Sequence, residues 1–186
     1  MTRIKFALIA GTMFLAACTS TASKQVVRVD PAGPARFNFV EQFAIGKINS
    51  DVAAATPTGK GAVVLEWPNA DVKTKSLTVL ATYRYAFQNV AVHPGDRLEF
   101  IAAKPYSIGD RVHAFVDVVD AGVTKRVVDD VLPLAVNNVP IWKAFSVSLD
   151  GYANKNVTVV FGADSLPTDG RAAWVAFGDA QIDGPK

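Results

Sequence analysis

From about Phe37 onward, short apolar or alternating stretches are separated by turn residues, and no helical spacing of apolar residues continues over a dozen positions. Alternation is typical of a strand with one buried face, because successive side chains point to opposite sides of a sheet. Residues 111–119 alternate in this way and place four small aliphatic side chains on one face. The pattern predicts an all-β fold.

Turn residues divide the chain into strand candidates. In His93-Pro94-Gly95-Asp96, proline fixes one backbone dihedral and glycine supplies a positive one, so a tight turn is expected there. Further turns are predicted at 120–122, 150–151 and 168–170. The predicted strands are 62–66, 76–85, 97–100, 111–119, 124–131, 143–149, 156–161 and 172–182. Because amphipathic sheets must cover their apolar faces, these strands favour two packed antiparallel sheets in one domain over residues 36–186.

Three segments carry a resemblance to known modules: VHPGDRLEFIAA at 92–103, WKAFSVSL at 142–149 and GDAQI at 178–182. They resemble the jelly-roll sandwiches of galactose-binding-like and carbohydrate-binding modules. In those modules a Pro-Gly turn leads a core strand, a tryptophan opens another strand, and an aspartate lies beside the last one. The likeness covers roughly residues 37–182. Its motifs are structural, so it implies a jelly-roll β-sandwich more than it implies a particular sugar.

The N-terminus has the order of a secretory signal. Arg3 and Lys5 precede an uncharged apolar run over residues 6–17, which is shorter than the ~20 residues of a permanent membrane helix. Leu15-Ala16-Ala17-Cys18 resembles the lipobox of bacterial lipoproteins. That resemblance implies a signal peptide over 1–17, diacylglycerol on the Cys18 sulfur and acylation of the new amino group. The alternative is an ordinary signal peptide with a cysteine close to its cleavage site.

The anchor predicts where the protein is found. Thr19 is not the aspartate that resembles an inner-membrane retention signal, so the outer membrane of a bacterial cell envelope is favoured. Residues 18–35, rich in Thr, Ser, Ala, Gly and Pro, read as the lipidated cysteine and a tether. Cys18 is the only cysteine, so no intramolecular disulfide can form.

Charge argues against nucleic acid as a partner. The chain has 19 Lys plus Arg and 17 Asp plus Glu, and loss of Arg3 and Lys5 with the signal leaves 17 of each sign. A neutral mature protein without a basic patch lacks the electrostatic footprint of a nucleic-acid-binding protein.

Catalytic motifs are missing from the sequence. Two histidines, His93 and His113, and no cysteine within the domain are too few for a zinc site, and no Gly-x-Ser-x-Gly elbow or phosphate-binding glycine loop occurs. Carboxylates that could form a glycosidase pair are more typical of solvated surface. They are Glu66, Glu99, Asp117, Asp129 and Asp130. We therefore predict that the protein is not an enzyme, with a small envelope hydrolase as the weaker alternative.

Ligand binding is the stronger hypothesis, because sugars stack on aromatic rings while polar neighbours take their hydroxyls. If their strands share one sheet, Arg84, His113, Asp117 and Trp142 would line a shallow groove. The alternative is that Trp142 packs at one end of the sandwich and the arginine and aspartate form a surface ion pair.

Trp67 and Tyr106 lie at predicted strand ends or loops, where each is either a ligand platform or a lid over the core. The resemblance also implies a structural calcium ion with Asp179 as a ligand, although no acidic spacing of EF-hand type supports it. The sequence thus favours a noncatalytic lipoprotein that binds a glycan or another surface polymer. The alternative is a structural or assembly lipoprotein that docks onto another envelope protein.

Overall fold

The computed structural model describes residues 26–29, 33–44, 62–106, 111–166 and 173–185. These residues form ten strands, one short α-helix and one 3₁₀ turn at Asp150–Tyr152. In chain order the elements are β1 (Ala35–Asn38), α1 (Phe39–Ala44), β2 (Ala62–Asn69), β3 (Val72–Leu80), β4 (Arg84–Val92), β5 (Arg97–Ala103), β6 (Arg111–Asp120), β7 (Val123–Val131), β8 (Lys143–Ser148), β9 (Lys155–Leu166) and β10 (Trp174–Asp183).

The strands make two antiparallel sheets. The larger sheet has the order β2-β3-β10-β5-β8, and the smaller sheet has the order β4-β9-β6-β7. Strand β10 pairs with β3 over residues 174–178 and with the short β1 over 181–183, so two strands share one of its edges. The predicted jelly-roll β-sandwich of two antiparallel sheets is confirmed.

The core lies between the sheets and follows the predicted alternation. In β6, Val112, Ala114, Val116 and Val118 are fully buried. Rings from both layers meet edge to face near the middle, and Phe161 of the smaller sheet lies 5.1 Å from Phe177 of the larger one. Such pairs add about 0.5–1.5 kcal/mol beyond the area they bury. The aromatic centre therefore fixes how the two layers sit on each other.

Helix α1 was not predicted, because six residues are too few to show a helical period. The side chain of Asn38 accepts a hydrogen bond from the backbone N–H of Glu41 at 3.0 Å, which caps the first turn. Phe39 is fully buried and lies 4.9 Å from Phe87 and 5.0 Å from Phe161. Val40 is also buried and Phe43 packs against the core, so one side of this short helix holds it on the sandwich.

The prediction of one strand over residues 76–85 is wrong. The chain turns at residues 81–83 and passes from the larger sheet to the smaller one. The backbone N–H of Ala81 donates to the carbonyl of Ala173, and that of Thr82 donates to the carbonyl of Ala163, each at 2.7 Å. Thr82 takes a positive φ of 77° at this corner. The end of β3 and the start of β4 have similar composition, so the sequence pattern predicted a single strand where there are two.

The predicted turns that fall within the described residues are found where their glycines placed them. Gly95 and Gly122 have φ of 80° and 81°, in the left-handed region that glycine adopts without strain. The turn predicted at 168–170, the signal peptide and Cys18 lie outside the described residues. Within the described ranges no helix combines the length and apolar character that a membrane crossing requires.

Part of the segment predicted as a tether lies against the larger sheet. The backbone N–H of Val27 donates to the side-chain oxygen of Asn69 at 3.0 Å, and the amide of Asn69 donates back to the carbonyl of Val27 at 2.6 Å. Val27 and Val29 pack against a small cluster on the outer side of this sheet. The domain thus begins to make contacts before its first strand.

Candidate functional site

The six residues predicted to bind a ligand fall on two opposite surfaces. Trp67, Tyr106 and Trp142 belong to the outer side of the larger sheet, which we term the aromatic face. Arg84, His113 and Asp117 lie on the outer side of the smaller sheet, which we term the charged face. The predicted groove of Arg84, His113, Asp117 and Trp142 is wrong, because Trp142 leads into β8 and the other three come from β4 and β6 in the other sheet.

The floor of the aromatic face is made of small side chains. Thr78, Ala176 and Ala103 are neighbours across β3, β10 and β5. Ser76 and Gly178 form the next pair on the same face, two residues further along β3 and β10. All five point away from the core by alternation, yet all five are buried. A side chain at Gly178 would meet Thr74 and Ile101. The small residues therefore leave room for other groups to lie flat on the sheet.

Trp142 is one of the groups that cover this floor. It packs with Ile101, Ala103 and Ala176, and only 7% of it is exposed. Its indole N–H donates to the carbonyl of Pro68 at 2.8 Å. Trp142 is a packing residue, as the alternative from the sequence expected, but it lies as a lid on the outer side of the larger sheet and not at one end of the sandwich.

Trp67 and Tyr106 remain nearer to solvent. The indole N–H of Trp67 donates to the hydroxyl of Thr78 at 3.0 Å, and this bond fixes the ring on the sheet. Tyr106 stands edge to face against Trp67, with ring centroids 5.0 Å apart, and 45% of it is exposed. The ammonium group of Lys104 donates to the Tyr106 carbonyl at 2.6 Å, which helps to hold the residue in place. These contacts pre-orient an exposed ring.

A pocket of about 230 Å³ opens beside the lid. Asn69 lies in its wall with its amide already bonded to Val27 and, at 3.1 Å, to the hydroxyl of Thr74. The lining is otherwise mainly aliphatic. The lining residues are Val27, Asn69, Ala70, Val139, Pro140, Ile141 and Trp142. The pocket can therefore take an apolar surface more readily than a charge.

The charged face is built on a phenylalanine. Phe115 points outward from β6, but its ring lies over Gly162 of β9 and is fully buried. A side chain at Gly162 would overlap the ring. The guanidinium of Arg126 lies 3.9 Å from the ring centroid and that of Arg84 lies 5.1 Å from it. Two cations thus cover the ring that a ligand would otherwise meet.

Both arginines form ion pairs with carboxylates. Arg126 donates to Asp117 at 2.9 Å and lies 3.7 Å from Asp129, and Arg84 lies 3.6 Å from Asp164. The hydrogen bond that Arg126 donates to Asp117 raises the pKa of Arg126 further above its ordinary value. His113 lies 3.4 Å from Asp129. The ion pair expected between Arg84 and Asp117 is not the one formed, because Asp117 pairs with Arg126 and Arg84 pairs with Asp164.

Arg126 was missed from the sequence, although a signal for it was there. A two-residue turn at Ala121-Gly122 fixes the register of the hairpin, and counting back from it places Asp117 opposite Arg126. Arg84 and Asp164 lie on different strands that no local turn joins. Their pairing has no comparable signal.

The other carboxylates considered for catalysis are held in separate contacts. Glu99 accepts hydrogen bonds from Ser146 at 2.5 Å and from Arg97 at 3.2 Å. Asp130 pairs with Lys143. Asp117 and Asp129 share Arg126 and belong to the charged face described above. These pairings suit structural roles.

Asp179, predicted as a calcium ligand, lies on a bulge of β10 with a φ of 50°. It lines a shallow pocket with Asn38, Glu41 and Lys75 among others. Desolvation raises its pKa, and the charge of Arg28 opposes this shift. In the described part of the chain, no three Asp, Glu, His or Cys side chains come together as a metal site. Calcium at Asp179 stays a prediction, and the lysine beside it does not favour a cation.

A buried carboxylate was also missed. Asp183 ends β10 and has no exposed area, and among the described residues neither of its oxygens has a hydrogen-bond partner. Burial raises the pKa of Asp183; the neighbouring side chain of Gln181 opposes this shift, and the negative charge of Glu99 adds to it. Strand alternation could place this residue on the outer side of the sheet, but it could not show that the side chain would be covered.

No protein-family model and no curated protein matches the chain. Among solved structures it is similar to the K3 cleaved adhesin domain of Lys-gingipain from Porphyromonas gingivalis, with a TM-score of 0.44, 13% identity and coverage of 59% of this chain and 74% of that one. The module TmCBM61 in complex with beta-1,4-galactotriose matches with a TM-score of 0.44 and 14% identity, over 67% of this chain and 83% of the module.

A carbohydrate-binding module of type CBM28, specific for non-crystalline cellulose, matches with a TM-score of 0.42 and 12% identity. That match covers 66% of this chain and 80% of the module. The identities and TM-scores are too low to assign this chain to the family of any of the three.

Proposed function

We propose that this protein is a lipid-anchored protein of the bacterial envelope whose aromatic face binds a glycan. The observation that carries the proposal is Tyr106, which is 45% exposed and held edge to face at 5.0 Å against Trp67. A sugar ring has an apolar side made of C–H groups, and an exposed aromatic ring offers a matching surface. The neutral balance of the mature chain suits an uncharged glycan.

Pre-orientation supports this use of the two rings. Trp67 is fixed through its hydrogen bond to Thr78, and the backbone of Tyr106 is fixed through Lys104. Side chains already ordered in the free protein lose less conformational entropy on binding than mobile ones.

The charged face is a weaker candidate for the same ligand. Its aromatic ring, Phe115, is covered by Arg84 and Arg126, and both guanidinium groups already have carboxylate partners. A sugar would have to displace these contacts before it met the ring.

The anchor is proposed from the sequence alone. The signal-like residues 1–17 and the lipobox-like Leu15-Ala16-Ala17-Cys18 support acylation of Cys18 and display at the outer membrane. Two or three acyl chains, at ~0.8 kcal/mol for each buried methylene, would hold the domain firmly on the bilayer.

A glycan array tests the binding proposal with the full mature protein in detergent micelles. We expect wild type and Tyr106→Phe, which keeps the ring, to be retained on at least one polysaccharide or peptidoglycan preparation. Tyr106→Ala should lose retention while its unfolding transition stays unchanged. Equal retention of Tyr106→Ala and wild type would exclude the aromatic face as the binding surface.

The alternative of a docking or assembly protein predicts a partner that copurifies and no glycan retention. Exposed aliphatic side chains on the connection between β7 and β8 are the observation that favours it. Crosslinking of the native anchored protein separates the two functions. A small hydrolase remains the weaker alternative, and a substrate screen tests it.

A further inference from the structure

The connection between β7 and β8 is a small apolar hairpin. Its eleven residues, 132–142, include no charged side chain. Val136 and Val139 pair in an antiparallel bridge, and Asn137 and Asn138 between them have positive φ of 51° and 59°. Left-handed conformations at both central positions are typical of a tight two-residue hairpin turn. We term residues 132–142 the apolar hairpin.

The apolar hairpin has an inner and an outer side. Ala135 and Pro140 are buried against the domain. Since cross-strand neighbours of a hairpin share a side and successive residues alternate, the remaining aliphatic residues share the outer side. They are 38% to 59% exposed. These residues are Leu134, Val136, Val139 and Ile141.

The base of the apolar hairpin is firmly held. The N–H of Leu132 donates to the carbonyl of Val112 at 3.0 Å, and Leu132 is buried. At the other end Trp142 bonds to Pro68 and packs on the larger sheet. The outer aliphatic side chains are therefore presented from a fixed base. A cluster of exposed apolar side chains of this kind marks a contact surface.

The position of the chain's N-terminal side indicates what covers this surface. Val27 lines the same pocket as Val139 and Ile141, so the described residues nearest in sequence to Cys18 lie beside the apolar hairpin. Val26 lies eight residues after Cys18. Whatever its conformation, this stretch spans at most about 28 Å, given ~3.5 Å for each extended residue. A bilayer that holds acyl chains on Cys18 lies within that distance.

We propose that the apolar hairpin inserts its outer side into the surface of the lipid bilayer that carries the Cys18 anchor. This inference rests on the anchor in the proposed function. Uncharged aliphatic residues enter the boundary between headgroups and acyl chains, and polar Asn137 and Asn138 stay at headgroup level. Trp142, at the end of the apolar hairpin, bonds to Pro68, and Pro68 follows Trp67 directly in the sequence. Insertion of the hairpin therefore brings the aromatic face close to the membrane. The glycan it meets there is one displayed near the lipid surface.

The chain is suited to a test by site-specific labelling. Acylation blocks Cys18, so Val136→Cys introduces the single reactive thiol, and an environment-sensitive fluorophore reports its surroundings. The control is Val123→Cys, because Val123 is 69% exposed and lies at the β6–β7 turn, at the other end of the smaller sheet. Both full-length lipidated variants are reconstituted into phosphatidylcholine vesicles with and without nitroxide-labelled acyl chains.

We expect the label at position 136 to shift to shorter wavelength and to be quenched by lipid nitroxide at least about twofold more than the label at 123, since inserted groups lie ~5–10 Å below the surface. Equal quenching at both positions, with the protein bound to the vesicles, would overturn insertion and leave the anchor intact. Protection from aqueous quencher without quenching by lipid would overturn it in favour of a protein contact, including a second copy.

Failure of the anchor gives a different readout. Mass spectrometry of the same preparation shows whether Cys18 carries acyl chains, and sedimentation shows whether the protein follows the vesicles. An unmodified Cys18 would overturn both the anchor and the insertion that rests on it.

Discussion

The two outer faces of the sandwich follow the same strand alternation, but they cover their outward-pointing residues differently. On the aromatic face small residues such as Ala103, Ala176 and Gly178 form a floor, and distant parts of the chain lie on it. On the charged face the bulky Phe115 of β6 fills the surface, and Arg126 from the adjacent β7 and Arg84 from β4, one strand beyond β9, cover it. The size of the outward-pointing residues therefore decides what covers a face: distant segments of the chain pack on small residues, and side chains of the same sheet pack on a large one.

The difference extends to carboxylates. Asp117, Asp129 and Asp164 on the charged face all have arginine partners. On the outer side of the larger sheet, Asp183 is buried without a hydrogen-bond partner among the described residues. One face is a network of ion pairs, and the other combines a buried carboxylate with an exposed ring, Tyr106, that is available for further contacts.

Removing the lid of the aromatic face should have the largest effect on stability. Trp142→Ala deletes the indole that packs on the floor and bonds to Pro68. We expect the free energy of unfolding to fall by about 3–5 kcal/mol, as for other buried tryptophans, in urea denaturation followed by circular dichroism. The neighbouring Ile141→Ala, at an exposed position, is the control and should change little. A loss below ~1 kcal/mol for Trp142→Ala would mean that the floor is not covered as described.

Crowding the charged face should cost less. Gly162→Ala places a methyl group where the Phe115 ring lies, so the ring and the two arginines over it must move. We predict a loss of about 1–3 kcal/mol in the same assay, typical of overpacking. Gly151→Ala is the matched control, because nothing lies within 4 Å of the added carbon. Equal stability of the two variants would show that the ring does not rest on Gly162.

Neutralising Asp183 should stabilise the protein by about 1 kcal/mol at neutral pH, because an unsatisfied buried charge is removed. Its folded pKa is raised above the ordinary value of 3.8, so the folded state favours the protonated form. Wild type therefore loses stability as pH rises through the folded pKa, and the advantage of Asp183→Asn appears over the same window. It should vanish in acid, where both side chains are neutral.

The matched variant for this comparison is Asp164→Asn on the charged face. It breaks an exposed ion pair with Arg84, so it should lower stability by less than ~1 kcal/mol. Chemical denaturation at several pH values measures both variants. If Asp183→Asn were the destabilised one at neutral pH, its carboxylate would have a partner outside the described residues.

The sandwich was predictable because its signal is local. Alternation at Val112, Ala114, Val116 and Val118 identifies the buried side of one strand without knowledge of its neighbours, and all four lie in the core. Glycine marked the turns for an equally local reason. Helix α1 lacked such a signal, since its core-packing residues, Phe39, Val40 and Phe43, cover little more than one turn.

The site was only partly predictable, because a site depends on which strands become neighbours. The sequence identified the aromatic candidates and the polar candidates. It did not show that the two groups lie on opposite outer faces of the sandwich. The first group is Trp67, Tyr106 and Trp142, and the second is Arg84, His113 and Asp117. Trp142 follows a connection that crosses between the sheets, and that crossing is a long-range event. A hairpin turn could have revealed the Asp117–Arg126 pair, but no local feature foretells that two arginines cover Phe115.

In the proposed function the aromatic face, and not the charged face, contacts the ligand. Calorimetric titration of the full mature protein with a glycan retained on the array tests this directly, using Tyr106→Ala for one face and Arg84→Ala for the other. We expect about tenfold weaker binding for Tyr106→Ala, equivalent to ~1.4 kcal/mol, and an unchanged Kd for Arg84→Ala. Weaker binding for Arg84→Ala with an unchanged Kd for Tyr106→Ala would contradict it.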